Sequence, residues 1–186
     1  AESVLKVSVH ADLKNIDPIW TTALITANHG YTIYDTLFAV DEKFQMQPQM
    51  AESYTVSDDG LIYVIKLRDG LKWHDGAPVT AADCVASIAR WGKRDGLGQR
   101  LMKRMDKMEA VDAKTVKLTL KEPFGATILA LGKDMSNVPF MMPERVAKTD
   151  AHKQITELTG SGPFKIEKDK WVPGSKVIYT RNTAYV

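Results

Sequence analysis

His74 and Asp75 stand side by side, and Ser161 lies in a Gly160-Ser161-Gly162 turn. An imidazole, a carboxylate and a hydroxyl are the parts of a serine-type hydrolase, with His74 as base, Asp75 as orienter and Ser161 as nucleophile. The spacing argues against it. Adjacent residues seldom aim both side chains at one point, and the Asp75-Gly76 turn already explains Asp75. A nucleophile elbow reads Gly-x-Ser-x-Gly, and Thr159 stands where its first glycine belongs. The small hydrolase is kept as the alternative reading, and no residue is assigned as catalytic.

His10, His29, His74 and His152 have no metal-ligand spacing with one another or with Cys84. Asp58-Asp59-Gly60 could open a calcium loop, but the twelfth position from Asp58 is Asp69, and an apolar strand lies between them. A hairpin turn is the better reading, and neither metal nor cofactor is assigned. Cys84 falls on the apolar stripe of a helix, as a small core residue would. It is the single cysteine, so the chain has no internal disulfide.

Trp20, Thr21 and Thr22 lie together in the loop Asp12–Ala23. An indole beside two hydroxyls suits an amphipathic small ligand, with apolar contact from the ring and hydrogen bonds from the threonines. Read from composition alone, the better reading is that Trp20 plugs the edge of the core. Met135 with Ser136 and Asn137, and the turn holding Ser161, are further candidates for a binding rim. Lys93, Arg94, Arg100, Lys103, Arg104 and Lys107 make a basic run, interrupted by Asp95 and Asp106. It reads as a solvated helix face, not a nucleic-acid or membrane surface.

The elements that must position these groups follow from periodicity. Val4–Val9 alternates, which predicts a half-buried strand with Leu5, Val7 and Val9 inward. Ile25–Phe38 suits a helix, since Ile33 and Leu37, and Tyr34 and Phe38, recur at helical spacing. Phe44–Met50 is an irregular connection containing Pro48. Tyr54–Val56 and Leu61–Leu67 form a hairpin, because Asp59-Gly60 suits a turn with φ > 0. A helix runs from Ala81 to about Lys93, capped by Thr80 with Asp83 in its first turn. A shorter helix follows through Leu101 and Met105, then a second hairpin, Lys107–Val111 with Thr115–Leu120. Short helices are expected at Pro123–Leu131 and Pro143–Thr149, and strands at Phe164–Lys168 and Lys176–Arg181. The chain is therefore mixed α/β, or α+β, with a largely antiparallel middle.

The 186 residues are 44% hydrophobic and 26% charged, the balance of a soluble globular protein. No apolar run approaches the ~20 residues that span a bilayer. A net charge of +2 gives no argument for nucleic acid. The opening AESVLKVSV, with small residues at Ala1 and Ser3, reads as a mature N-terminus after signal-peptide removal.

Between Ala51 and Asp83 the residue types and spacings form a signature. It is carried by Ala51, Glu52, Ser53, Tyr54, Ser57, Asp59, Gly60, Tyr63, Leu67, Arg68, Gly70, Trp73, Asp75, Gly76, Pro78, Thr80, Ala81 and Asp83. It resembles the bacterial extracellular solute-binding proteins of family 5, the peptide and nickel receptors of ABC importers. Val111-Asp112 through Pro123-Phe124, Thr159 through Lys165, Trp171-Val172-Pro173-Gly174 and Arg181-Asn182 with Tyr185 are similar to further elements of that family. Thr183 stands where the family usually has proline.

The resemblance implies the first lobe of a type II periplasmic-binding-protein-like fold. Residues 1–40 and 160–186 would form its core subdomain and 41–159 an inserted α+β subdomain, with the second lobe absent from this chain. It implies an exported, periplasmic, monomeric receptor, lipid-anchored in Gram-positive relatives. Such a receptor binds a di- or oligopeptide, nickel chelate, sugar or opine and passes it to an inner-membrane permease. In the family the loop after the first strand faces the ligand cleft, which turns the balance toward Trp20, Thr21 and Thr22 as ligand-binding residues. Met135, Ser136 and Ser161 are the weaker candidates. A lobe alone offers half the contacts, so these residues by themselves are expected to bind weakly.

Overall fold

The computed structural model describes residues 3–186. A loop leads into helix α1 (Leu24–Ile33), followed by the short strands β1 (Asp35–Thr36), β2 (Phe38–Val40) and β3 (Met46–Pro48). Next come β4 (Ala51–Val56), β5 (Ile62–Leu67), helices α2 (Ala81–Arg94) and α3 (Gly96–Arg104), and strands β6 (Met105–Ala110) and β7 (Thr115–Leu120). Helix α4 (Thr127–Gly132), β8 (Phe140–Met141), α5 (Glu144–Ala147), β9 (Phe164–Ile166) and β10 (Tyr179–Arg181) complete the order.

A four-stranded antiparallel sheet, β4-β5-β7-β6, is the largest layer. Its register pairs Tyr63 with Leu118 and Ile65 with Val116, and these four side chains are buried. The alternating residues Val64, Lys66, Lys117 and Thr119 lie on the other, more open face. Helix α2 covers the buried face with Cys84, Ile88 and Trp91, all fully buried in one continuous core. Gly60, Gly70 and Gly76 have φ of 69°, 80° and 90°, the left-handed values the three Asp-Gly turns need. Thr80 and Asp83 form a reciprocal capping box at the start of α2.

Both hairpins, the paired helices and the mixed α/β class agree with the sequence. Other elements differ. Val4–Val9 is not a strand: no partner pairs with it among the described residues, and Leu5, Val7 and Val9 are 87%, 71% and 51% exposed. Alternation marks a segment able to pair, but a strand exists only with a neighbour to bond. The helix proposed for Ile25–Phe38 stops at Ile33, and Tyr34 is extended. Gly162 N donates to Ile33 O at 3.0 Å, so a neighbouring loop takes the helix's terminal carbonyl. Tyr34, Leu37 and Phe38 are buried in strands and turns instead. Phe44–Met50 is more regular than expected, since Met46–Pro48 pairs with Phe38–Val40. The proposed mature N-terminus rests in part on Ala1, which with Glu2 lies outside the described residues.

No helix among the described residues is long and apolar enough to cross a membrane.

Candidate functional site

Asp17 organises the loop that carries the candidate ligand residues. Its backbone oxygen accepts from Trp20 N at 3.2 Å, closing a turn over Pro18 and Ile19. Its Oδ1 accepts from Ile19 N and Trp20 N at 3.3 and 3.1 Å. Arg90 of α2 meets both carboxylate oxygens at 2.9 and 2.7 Å, and both side chains are about 1% exposed. Ile155 N donates to Oδ2 at 3.0 Å, and Arg90 also reaches Thr149 O and Lys153 O. A buried charge pair needs this many partners, because each lone pair or proton left bare in the interior is costly.

Asn137 joins a second loop to the first. Its Nδ2 donates to Ile19 O at 2.8 Å and Thr21 O at 3.1 Å, while Trp91 Nε1 donates to Asn137 O at 2.7 Å. Next to it, Ser136 has φ 64° and Met135 is 59% exposed. Lys133 pairs with the buried Asp95 at the N-terminus of α3, fixing the start of this loop. Asp95 also caps α3 through Leu97 N and Gly98 N, both at 2.9 Å.

The structure thus brings Trp20, Thr21 and Thr22 beside the loop of Met135 and Ser136. Trp20 is partly exposed and donates from Nε1 to His152 O at 3.1 Å. Thr21 Oγ1 accepts from Ala23 N at 3.2 Å, and Thr22 is exposed. Trp20 and Thr21 are half-buried, and Thr22, Met135 and Ser136 are exposed. Two clefts, of about 420 and 140 Å³, are lined by other residues, the smaller in part by Gly132, at the end of α4, and Asp134, next to Met135. Pro163, Phe164, Arg181, Asn182, Thr183 and Tyr185 line the larger.

Ser161 is set apart from this surface. It is buried, and its hydroxyl has no hydrogen-bond partner. Its flanking glycines press on the end of α1: a Cβ on Gly162 would lie 2.8 Å from the Ile33 carbonyl carbon and from Tyr34 O. The hydrolase alternative fails here. His74 Nε2 faces Gly162 O at 3.0 Å, and its Nδ1 accepts from Gly160 N at 3.3 Å. Both ring nitrogens therefore serve backbone groups, and neither meets Ser161. Asp75 turns to Ala77 N and to Arg145, at 3.0 and 2.7 Å. Burial holds the His74 pKa below that of an ordinary imidazole.

Cys84 is buried, and burial pushes its thiol pKa up, so it is a core residue. Among the described residues, no three His, Cys, Asp or Glu side chains are placed to hold a metal ion. The basic run is only partly a solvated face. Arg104 pairs with Glu122 at 3.0 Å, and Arg94 is drawn inward to donate to Trp20 O at 2.7 Å.

Sequence reasoning missed Asp17, Arg90 and Asn137 as organisers. No local signal marks Arg90, which lies on the side of α2 that carries Asp83, Ser87 and Arg94, away from the stripe of Cys84, Ile88 and Trp91. Only the final packing shows that this side is buried.

The family model of bacterial extracellular solute-binding proteins, family 5 (middle region), matches residues 45–186. The chain is 47% identical over 177 residues to a probable peptide ABC transporter periplasmic-binding protein of Sinorhizobium fredii, covering 94% of this chain and 32% of that protein. It is 34% identical over 168 residues to a glutathione-binding protein of Escherichia coli, covering 89% of this chain and 32% of that one. Among solved structures it is similar to a periplasmic binding protein of Agrobacterium tumefaciens in complex with mannopinic acid. The TM-score is 0.78 and the identity 29%, over 94% of this chain and 36% of that one. It is also similar to NikZ of Campylobacter jejuni in complex with Ni(L-His), with a TM-score of 0.76 and 25% identity, over 95% and 35% of the two chains. The chain spans about a third of the length of the relatives it matches.

Proposed function

This chain belongs to the bacterial extracellular solute-binding proteins of family 5, and we propose that it forms one wall of a solute trap. The solute is small, and a di- or oligopeptide is the first candidate, since the S. fredii relative is named for peptide transport. The receptor works in the periplasm as a monomer and delivers its solute to an ABC permease in the inner membrane. It closes on the solute by a hinge and transforms nothing.

The observation that carries this reading is Asn137. By bonding Ile19 O and Thr21 O it holds two loops together, so that Trp20, Thr21, Thr22, Met135 and Ser136 share one open surface. An aromatic face with hydroxyls and backbone groups beside it suits a peptide, whose polar ends need partners and whose side chains need apolar contact. Ser161 acts at this site only through the fold, because its hydroxyl is buried.

We read residues 1–40 and 160–186 as one subdomain and 41–159 as an insertion. Support comes from the contact of Gly162 with Ile33 and from the packing of α1 against β9, which join the two chain ends. The β4-β5-β7-β6 sheet with α2 and α3 lies wholly within the insertion.

Calorimetric titration of the full-length protein with tripeptides and glutathione tests the function. We expect micromolar or tighter binding, weakened about 10-fold or more in Trp20→Ala, as for a central aromatic contact. Binding unchanged by that substitution would remove Trp20 from the site. A protein that binds no small solute would remove the function.

A further inference from the structure

Arg90 and Arg94 stand one turn apart on α2, and both guanidinium groups reach the turn that ends at Trp20. They hold it differently. Arg90 does so through a buried carboxylate, as described above. Arg94 Nη2 donates to Trp20 O at 2.7 Å, and its Nη1 lies 3.0 Å from His152 Nδ1. The Trp20 indole closes a ring by donating to His152 O at 3.1 Å. Arg94 is not in an ion pair among the described residues, and its Nε is buried without a partner. Its fixed orientation therefore depends on two acceptors, one backbone carbonyl and one imidazole nitrogen.

Arginine offers only donors, so His152 Nδ1 must accept. Arg94 faces His152 from α2, while Asp150 and Lys153 belong to its own loop, and Asp150 Oδ1 already accepts from His152 N at 2.8 Å. The charge on the Trp20 turn, Asp17, is taken by Arg90.

We propose that Arg94 and His152 are positioning residues for Trp20: the His152 imidazole orients Arg94, and Arg94 holds the Trp20 backbone. That this changes ligand binding rests on the proposed function of Trp20. The positioning itself does not.

The test follows the Trp20 indole N–H by ¹⁵N NMR in the full-length protein, assigned with Trp20→Phe. His152→Ala removes the acceptor for Arg94, and Arg94→Gln removes the guanidinium, so each should shift the resonance. His152→Gln offers an amide oxygen that accepts from Arg94, so its resonance should stay near the wild-type position. A resonance unmoved in both His152→Ala and Arg94→Gln, or moved as far in His152→Gln as in His152→Ala, overturns the proposal. Affinity for trialanine is measured in parallel. We expect it to weaken about fivefold in Arg94→Gln and His152→Ala, the factor for one ordinary hydrogen bond, and to hold in His152→Gln. If the resonance behaves as expected while trialanine affinity does not follow, the positioning stands and the ligand role of Trp20 falls.

Discussion

Asp17 is the residue on which the candidate site depends most, although it touches no part of the open surface. It accepts from three backbone amides and from Arg90, with both charged side chains about 1% exposed. Removing one partner leaves a buried charge bare, so Asp17→Ala and Arg90→Ala should each lower stability by about 3–5 kcal/mol in urea denaturation. Replacing the pair together with apolar residues of similar volume should lose less than the sum. A loss under 1 kcal/mol from either single change would mean the pair is not closed as described. His74 makes a pH-dependent contribution. Burial lowers its pKa in the folded state, so the unfolded chain binds the proton more readily. The stability this neutral imidazole contributes is complete above the unfolded imidazole pKa and is lost as pH falls toward the lowered folded value. His74→Gln should flatten that acid-side loss in melting temperatures measured across the range, while an unchanged slope would assign it to other groups.

At the scale of elements, what could be read from the sequence depended on whether its cause was local. The β4–β5 hairpin follows from Asp59-Gly60 and the alternation after it, and α2 from Thr80 and Asp83. All of these act within a few residues. Thr80→Ala should cost about 1 kcal/mol, the usual value of an N-cap. Asp83→Ala should cost more, because the Asp83 carboxylate also accepts from Trp73 Nε1 at 3.3 Å and Glu144 N at 2.6 Å. Equal melting temperatures for the two variants would contradict this order. The misread elements had distant causes. Val4–Val9 has the pattern of a strand but no strand beside it. The end of α1 is set by Gly162, 129 positions beyond Ile33 in the sequence. Short apolar runs such as Tyr34–Phe38 fit either period, and only the final packing decides between them.

At the scale of the whole molecule, we propose that the chain supplies one face of a binding site, and its candidate residues came from the sequence by two routes. Trp20 and its threonines were legible as chemistry, and as ligand residues only through family likeness. Asn137, which sets them beside Met135 and Ser136, reads in the sequence as part of a candidate rim and not as the bridge between two loops. An amide side chain carries no sequence sign of the backbone carbonyls it will bridge. Ser161 shows the opposite error: a hydroxyl in a glycine turn looks available, yet its glycines are small because the turn is pressed against α1. Hydrogen exchange on the full-length protein, with and without a peptide that calorimetry has shown to bind, tests the central claim most directly. The account predicts slowed exchange at the amides of residues 20–22 and 135–137 when ligand is present. Slowing confined to other segments, with these six amides unchanged, would contradict it.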